Sequence, residues 1–588
     1  MKHLNLLFFI IVSVVIIGCQ QKKPLQISAT YLESLDPVPN SLENWNVIEN
    51  GLHASIVPIS KRFVKSDLPK IPIEKNWTTN VWKGERASLQ LALWSKDSIT
   101  KVVAEISDFK SETGEKLPSS IAQARFVKYV ITDEFAQGCG YRKPEDFKAS
   151  LVADALDTVS SYAVKQFETR PLWITLNIPE NTTPGTYVST LKLLIEGQKT
   201  QSFTLTLNVL PKTLPPPTAW KFHLDLWQNP YAVARYHQVE PWSKKHWELL
   251  TPLMKELANA GQKVITVSLN KRPWGGQTFD PFDSMIKWKK KVDGTWEYDF
   301  TIFDTWVEFM MNLGIKNQIS CYSMVPWGNE FYYFDETTNQ ELKVKAPPGS
   351  KEYEQLWIPF LTKFKAHLKT KGWNTITRMA MDERKPDEMK AMFDLLNTFA
   401  PEFGASFADN HKSYKLYPNQ LKDLSVAFGA TIDEEDLQLR KQNGYISTHY
   451  VCCSDKFPNV FTFSDPSEGV FIGWYSIAAG FDGFLRWAYN SWVENPLQDS
   501  RFRTWPAGDT YLVYPDARSS IRFETLREGI EDAEKIRILR QYLSENNKIE
   551  ELMELNKTVE KFNITSKPTH LDRLIQEGKN TLTHLSKL

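Results

Sequence analysis

The chain has 588 residues, of which 42% are hydrophobic, 24% charged and 13% aromatic, a composition that excludes disorder as its main state. Lys plus Arg number 70 and so do Asp plus Glu, so no net field exists to gather a polyanion, and a nucleic-acid partner loses its usual electrostatic attraction. Twenty tryptophans are many for this length; most suit a core, and exposed ones suit stacking on the flat C–H faces of sugars.

Residues 1–18 read as a signal segment. Lys2 and His3 precede an apolar run broken only by Asn5 and Ser13, too short for a spanning helix of about 20 residues. It ends Val15-Ile16-Ile17-Gly18-Cys19, which resembles a bacterial lipobox and makes Cys19 the expected lipidated residue. Gln20 is not the acidic residue typical of inner-membrane retention, so the expectation is a lipid-anchored envelope protein, on the outer membrane. Cys139, Cys321, Cys452 and Cys453 are too few and too irregularly spaced for a disulfide framework or a zinc site; the vicinal pair reads as apolar filler. No metal and no cofactor is expected.

Residues 19–213 are expected to form an N-terminal antiparallel β-sandwich. Leu89, Leu91 and Leu93 alternate with Gln90 and Ala92, and Leu172, Ile174 and Leu176 alternate with Trp173 and Thr175, the period of half-buried strands. A Thr183-Pro184-Gly185 turn precedes two further alternating runs, and Leu214-Pro215-Pro216-Pro217 is a stiff linker. Over 218–518 the rhythm changes to short apolar strands separated by helical segments. Eight candidate strands, at 222–227, 264–270, 318–322, 375–381, 405–408, 424–428, 446–451 and 483–487, predict a central (β/α)8 TIM-like barrel. Residues 519–588 carry helical patterning with charged faces and are expected to form a small helical C-terminal region.

Active sites of such barrels form at the C-terminal strand ends. These ends present Asp225, Trp227, Asn270, Tyr322, Asp382, Glu383, His449 and Trp487: acids, aromatics and amide or imidazole groups that suit a sugar, with no phosphate cradle or nicotinamide fingerprint. The dipeptide Asp382-Glu383 is ordinary in itself, since Asp133-Glu134, Asp335-Glu336, Asp387-Glu388 and Asp433-Glu434 also occur, but only its position puts it at a barrel strand-to-helix loop. Asp387-Glu388 reads as first-turn charge on a helix dipole. A retaining glycosidase with a carboxylate nucleophile places two carboxyls about 5–5.5 Å apart across the anomeric carbon. Neighbours in sequence approach from one side, which fits attack by the sugar's own 2-acetamido oxygen, one carboxylate orienting the amide and the other protonating the leaving oxygen.

Met379-Ala380-Met381-Asp382-Glu383-Arg384 resembles the catalytic strand of glycoside hydrolase family 123. Gly138-Cys139-Gly140-Tyr141-Arg142, the run from Gly483 to Trp492, Gly508-Asp509 and the run from Arg522 to Asp532 agree, with Thr510 standing where a second glycine is common. The resemblance implies a β-N-acetylgalactosaminidase using substrate assistance, with Asp382 holding the amide and Glu383 as general acid/base. It also suggests Trp487 as the wall around the acetamido methyl and Tyr322 as a hydroxyl donor. Asn270, Trp227 and His449 are candidate sugar contacts by strand-end position, His449 reading equally as a core histidine.

Two other readings compete. A lipid-anchored protein could bind glycan without cleaving it, or a glycosidase of other sugar specificity could draw a second carboxylate from Asp225 or Asp409. The expected partner is a glycan, with a membrane reached only through Cys19; the sequence assigns no oligomeric state.

Overall fold

The computed structural model describes residues 31–38, 42–135, 139–140 and 143–588. The signal segment with Cys19, and Gly138, Tyr141 and Arg142 of the sandwich motif, lie outside these. Among the described residues no helix is long and apolar enough to cross a membrane.

The N-terminal domain is a β-sandwich. One sheet runs in the order Leu52–Val57, Arg86–Ser95, Glu168–Asn177, Ala122–Thr132, Ser150–Asp157, all antiparallel. The other is built round Gln201–Thr213 and Gly185–Ile195, and one of its pairs, Asn76–Lys83 with Gln201–Thr213, is parallel. Leu91 sits opposite Leu172 and Leu89 opposite Ile174, which pins the register so that these leucines enter the inter-sheet core. The alternation predicts one wet face, yet Gln90 and Trp173 on the other face are also buried. Gln90 is covered by the sandwich's own chain, donating to Pro58 O and Lys61 O, while Trp173 packs with Tyr129 and Leu156 in a cluster that Ile521 of the second domain joins.

All eight predicted barrel strands are present. They are β1 (His223–Leu226), β2 (Val264–Ser268), β3 (Gln318–Tyr322), β4 (Thr377–Asp382), β5 (Ala405–Ala408), β6 (Leu421–Ala427), β7 (Ile446–Tyr450) and β8 (Gly483–Arg486). Each pairs in parallel with its neighbour from β2 round to β1 by way of β8. The remaining seam, β1 to β2, has a single bridge; side chains close the rest. Gln262 Oε1 accepts from Leu226 N at 2.9 Å and Gln228 Oε1 from Thr266 N at 2.9 Å, replacing ladder bonds that buried backbone would otherwise lack.

The helices are α1 (Pro230–Tyr236), α2 (Lys244–Ala258), α3 (Thr301–Asn312), α4 (Lys351–Lys371), α5 (Pro386–Phe399), α6 (Glu434–Gln442), α7 (Pro466–Ala478), α8 (Ile521–Glu545), α9 (Ile549–Glu560) and α10 (Leu571–Leu585). Between β5 and β6 runs only a short 3-10 turn, Ser413–Lys415. Sequence rhythm missed a four-stranded sheet inserted after β2 and β3: Lys287–Lys290, Trp296–Asp299, Glu330–Asp335 and Gln340–Lys345. It rests on α4 through Trp288, stacked on Phe360 with centroids 4.4 Å apart.

The C-terminal region is helical, as expected. Helix α8 follows the eighth strand and closes the barrel, so only α9 and α10 lie beyond it. Most of its charged residues are buried. Arg522 pairs with Asp154 at 2.8 Å, Glu524 with Arg86 at 2.6 Å and Lys535 with Glu85 at 2.7 Å, all reaching into the sandwich. A helix with such a face looks water-exposed in one dimension, but here opposite charges from the other domain compensate burial. Where α8 crosses α7, Gly473 and Gly529 meet so closely that a Cβ on Gly473 would lie 2.1 Å from the Gly529 carbonyl oxygen, so neither helix tolerates a side chain there.

Candidate active site

β4 ends on Asp382, and the chain turns sharply at Glu383, whose φ of +44° is a left-handed conformation that a non-glycine residue adopts at a cost. The turn is held by Glu383 N donating to Ala408 O on β5 at 3.0 Å. Its consequence is that two consecutive carboxylates go to different partners. Asp382 Oδ2 accepts from the Trp327 indole N–H at 3.3 Å. Glu383 Oε1 accepts from the Tyr450 hydroxyl at 2.5 Å and from Asn410 Nδ2 at 3.2 Å, and Asn410 also donates to the Tyr450 oxygen at 2.9 Å. The Arg384 guanidinium lies over the Trp327 ring, 3.7 Å from its centroid, and its Nε donates to the Asp382 carbonyl at 2.8 Å. Asp387 and Glu388 do start α5, where Glu388 accepts from Lys385 N.

Burial pushes the Asp382 carboxyl up to about 6, the neighbouring Glu383 charge adding to this while Arg384 and the Trp327 N–H oppose it. If the ionised form is the working one, kcat/KM should fall as pH drops through about 6, with the limb set by the free enzyme. A pH profile with Asp382→Asn as comparison checks this; a limb that persists unchanged in the variant would assign it to another group.

Trp327, Tyr450 and Asn410 were not singled out from the sequence. Tyr450 could have been. On a strand only alternate residues face inward. His449 faces α7, where Nε2 lies 2.9 Å from Ser476 Oγ and the ring packs on Tyr475, Phe481 and Phe484. Its neighbour Tyr450 therefore enters the barrel mouth. The expectation of His449 as a sugar contact is corrected: it is wholly buried, and desolvation pushes its pKa down to about 3, so it is a neutral core histidine. Trp327 lies in the loop that leaves β3 for the inserted strand Glu330–Asp335, five residues past the end of β3.

The other candidates gather into two walls. Trp227, Trp274 and Tyr322 form one aromatic cluster, with Trp227 4.6 Å from Tyr322 and 5.1 Å from Trp274. Asn270 donates to Ser323 O at 2.8 Å, leaving its buried Oδ1 without a protein partner. On the second wall, the Trp487 indole N–H donates to Asp509 Oδ2 at 3.2 Å, and Asp509 is ion-paired with buried Arg486 at 2.8 Å. Trp505 meets Trp487 edge-on.

The two carboxylates named as possible distant partners are committed elsewhere. Asp409 accepts from His411 N, Ser413 N and Ser413 Oγ, capping its own turn. Asp225 is enclosed in the barrel, and burial, with Asp423 nearby, raises its pKa well above the carboxylate range. The cysteine reading is also corrected: Cys139 and Cys453 form a disulfide across 314 residues. Among the described residues, Cys139, Cys452 and Cys453 are the one group with metal-ligand spacing, and two of these sulfurs are bonded to each other. Two surface grooves, of about 940 Å³ beside α10 and about 960 Å³ beside Phe463, include neither Asp382 nor Glu383.

A parallel barrel with paired carboxylates and tryptophans at its mouth is the architecture of a glycosidase. Residues 227–539 match the catalytic domain of glycoside hydrolase family 123, and residues 56–195 match that family's N-terminal domain. The chain belongs to glycoside hydrolase family 123 and is a glycosidase. It is similar, at 28% identity and a TM-score of 0.83, to a family 123 glycoside hydrolase from Clostridium perfringens whose structural analysis concerns glycolipid glycan hydrolysis; the match covers 91% of this chain and 98% of that one. A family 5 xyloglucanase from Bacteroides ovatus matches at 8% identity and a TM-score of 0.27 over 78% of this chain and 98% of its own, too distant in shape to bear on the site. No curated protein matches the sequence.

Proposed function

We propose that the enzyme removes terminal β-linked N-acetylgalactosamine by a retaining, substrate-assisted mechanism. The observation that carries this reading is the turn at Glu383, which sends two carboxylates adjacent in the chain to separate donors, Asp382 to Trp327 after β3 and Glu383 to Tyr450 on β7. Asp382 accepts the acetamido N–H and stabilises the charge that develops as the amide oxygen attacks the anomeric carbon. Glu383 gives its proton to the departing oxygen, then takes one from the water that opens the cyclised intermediate. Trp487, half-buried, supplies an apolar face for the sugar and its acetamido methyl, and the buried Trp227, Tyr322 and Asn270 support the barrel mouth from within.

Double displacement returns the starting configuration, so proton NMR of the first-formed sugar should show the β-anomer. Predominant α-anomer at early time would refute the mechanism. Glycolipid glycans are the proposed source of substrate, by analogy with the Clostridium perfringens enzyme. A lipid tether at Cys19, placing the enzyme at the outer membrane, accompanies this reading. Cys19→Ala should move the protein from the membrane to the soluble envelope fraction; retention of the variant in the membrane fraction would remove the tether.

A further inference from the structure

We propose that the Cys139–Cys453 disulfide is a positioning element for the active site: it holds the end of β7 so that the Tyr450 hydroxyl meets Glu383. The sandwich domain thereby supports the acid it does not itself carry. This rests on the reading of Glu383 as the acid.

Cys139 comes from the connection between sandwich strands Ala122–Thr132 and Ser150–Asp157, and Cys453 lies three residues beyond Tyr450, with the two Cα atoms 4.9 Å apart. Tyr450 is the last residue of β7, its carbonyl taking a final bond from Phe428 N at 2.8 Å. Residues 451–459 have no strand or helix, so no ladder sets their path. What sets it is the packing of Phe457 on Phe428 and Phe471, a small number of hydrogen bonds, among them Asn459 N to Glu468 Oε2 at 2.9 Å, and the disulfide. Asp455 Oδ2 accepts from Cys452 N at 2.7 Å; Asn459 Nδ2 donates to Cys452 O at 2.8 Å and to Asp455 O at 2.9 Å. Arg486 Nη1 donates to Asn459 Oδ1 at 2.9 Å, and the same guanidinium pairs with Asp509, the partner of Trp487. Tyr450 beside Glu383 and Trp487 on the second wall thus both adjoin one irregular segment.

The sandwich strand that precedes Cys139 is anchored at its end. Thr132 Oγ1 lies 2.7 Å from Thr462 Oγ1, and Asp133 Oδ1 accepts from Ala507 N at 3.1 Å, so the end of that strand is pinned to the barrel. Cys452, though close in space, stays out of the bond. Its sulfur lies 2.9 Å from Ser454 Oγ, and burial with Asp455 nearby pushes its thiol up to about 11, which keeps it protonated and a poor competitor in exchange.

A hydroxyl 2.5 Å from a carboxyl oxygen makes a short hydrogen bond, and its direction depends on where the tyrosine backbone is held. Freeing residues 451–459 should let Tyr450 wander and leave Glu383 held by Asn410 alone.

The test uses Cys452→Ser, so that no substitute disulfide can form, before and after reduction with a phosphine, with thiol titration to show that two thiols have appeared. Reduction should speed hydrogen–deuterium exchange in residues 450–459 while the sandwich core stays protected. Turnover of substrates with poor leaving groups should fall about tenfold with KM little changed, while activated aryl substrates are nearly spared. Tyr450→Phe should show the same pattern, and reducing that variant should add nothing. Cys139→Ser in the Cys452→Ser background repeats the measurement in a protein made without the bond. Unchanged exchange in 450–459, losses that add to those of Tyr450→Phe, or exchange that rises across both domains as in plain unfolding would each overturn the proposal. The exchange readout does not depend on the role of Glu383. If Glu383→Gln spared poor leaving groups, the acid assignment would fall while exchange still decided what the disulfide holds.

Discussion

Glu383→Gln is expected to lower turnover of substrates with poor leaving groups by roughly 10²- to 10⁴-fold, the usual contribution of a positioned general acid. Gln is nearly isosteric and can still accept from the Tyr450 hydroxyl and Asn410, so the turn at φ +44° and its hydrogen bonds should survive. What is lost is the proton. A departing sugar or lipid hydroxyl cannot leave as an alkoxide unaided, whereas a nitrophenolate can, so the deficit should grow with leaving-group pKa. The measurement is a series of aryl N-acetylgalactosaminides spanning leaving groups of low and high pKa, compared between wild type and variant. An equal loss along the whole series would show that Glu383 is not the acid.

Asp382→Asn should act through the acetamido group. The carboxylate accepts the amide N–H more strongly as positive charge develops on the cyclising amide, so its contribution belongs to the transition state more than to the ground state. Turnover should fall by about 10² to 10³, by analogy with removing one preorganised electrostatic group, and affinity should fall less. A thiazoline mimic of the cyclised intermediate, built on the galacto sugar, should inhibit wild type well and the variant much less. Equal inhibition of both, or hydrolysis of a substrate lacking the 2-acetamido group as fast as one bearing it, would remove Asp382 from this role. Misfolding is an unpromising explanation for such a loss. Burial holds the folded-state pKa at about 6, above the unfolded value, so the folded protein binds this proton more tightly and ionisation at neutral pH works against the fold. Asn removes that charge, and thermal melts at neutral pH should find the variant no less stable than wild type.

The catalytic dipeptide and the barrel were legible because their signals are local. A strand buried in a parallel sheet is a short apolar run bounded by turns, and each of the eight runs is a strand, with ends within a few residues of expectation. That a loop following such a run carries chemistry is a rule of the fold. The inserted sheet was not legible, since Lys287–Lys290 and Gln340–Lys345 are polar strands whose shared surface shows only once Trp288 meets Phe360.

By itself, then, the sequence determined the eight barrel strands, where their strand-to-helix loops fall, and that Asp382 and Glu383 stand together on one of them, because hydrophobic period and chain adjacency are properties of a few neighbouring residues. Only the tertiary structure decided which side chains face those carboxylates. Trp327, Asn410 and Tyr450 arrive from three other loops or strands, and whether His449 or Tyr450 turns inward depends on a register that one residue's slip would reverse. It also decided that the charged face of α8 is buried and that Cys139 pairs with Cys453. The physical reason is the same for both: a charge or a thiol acquires its partner from chain hundreds of residues away, and no local pattern records which partner the packing of two domains will bring within reach.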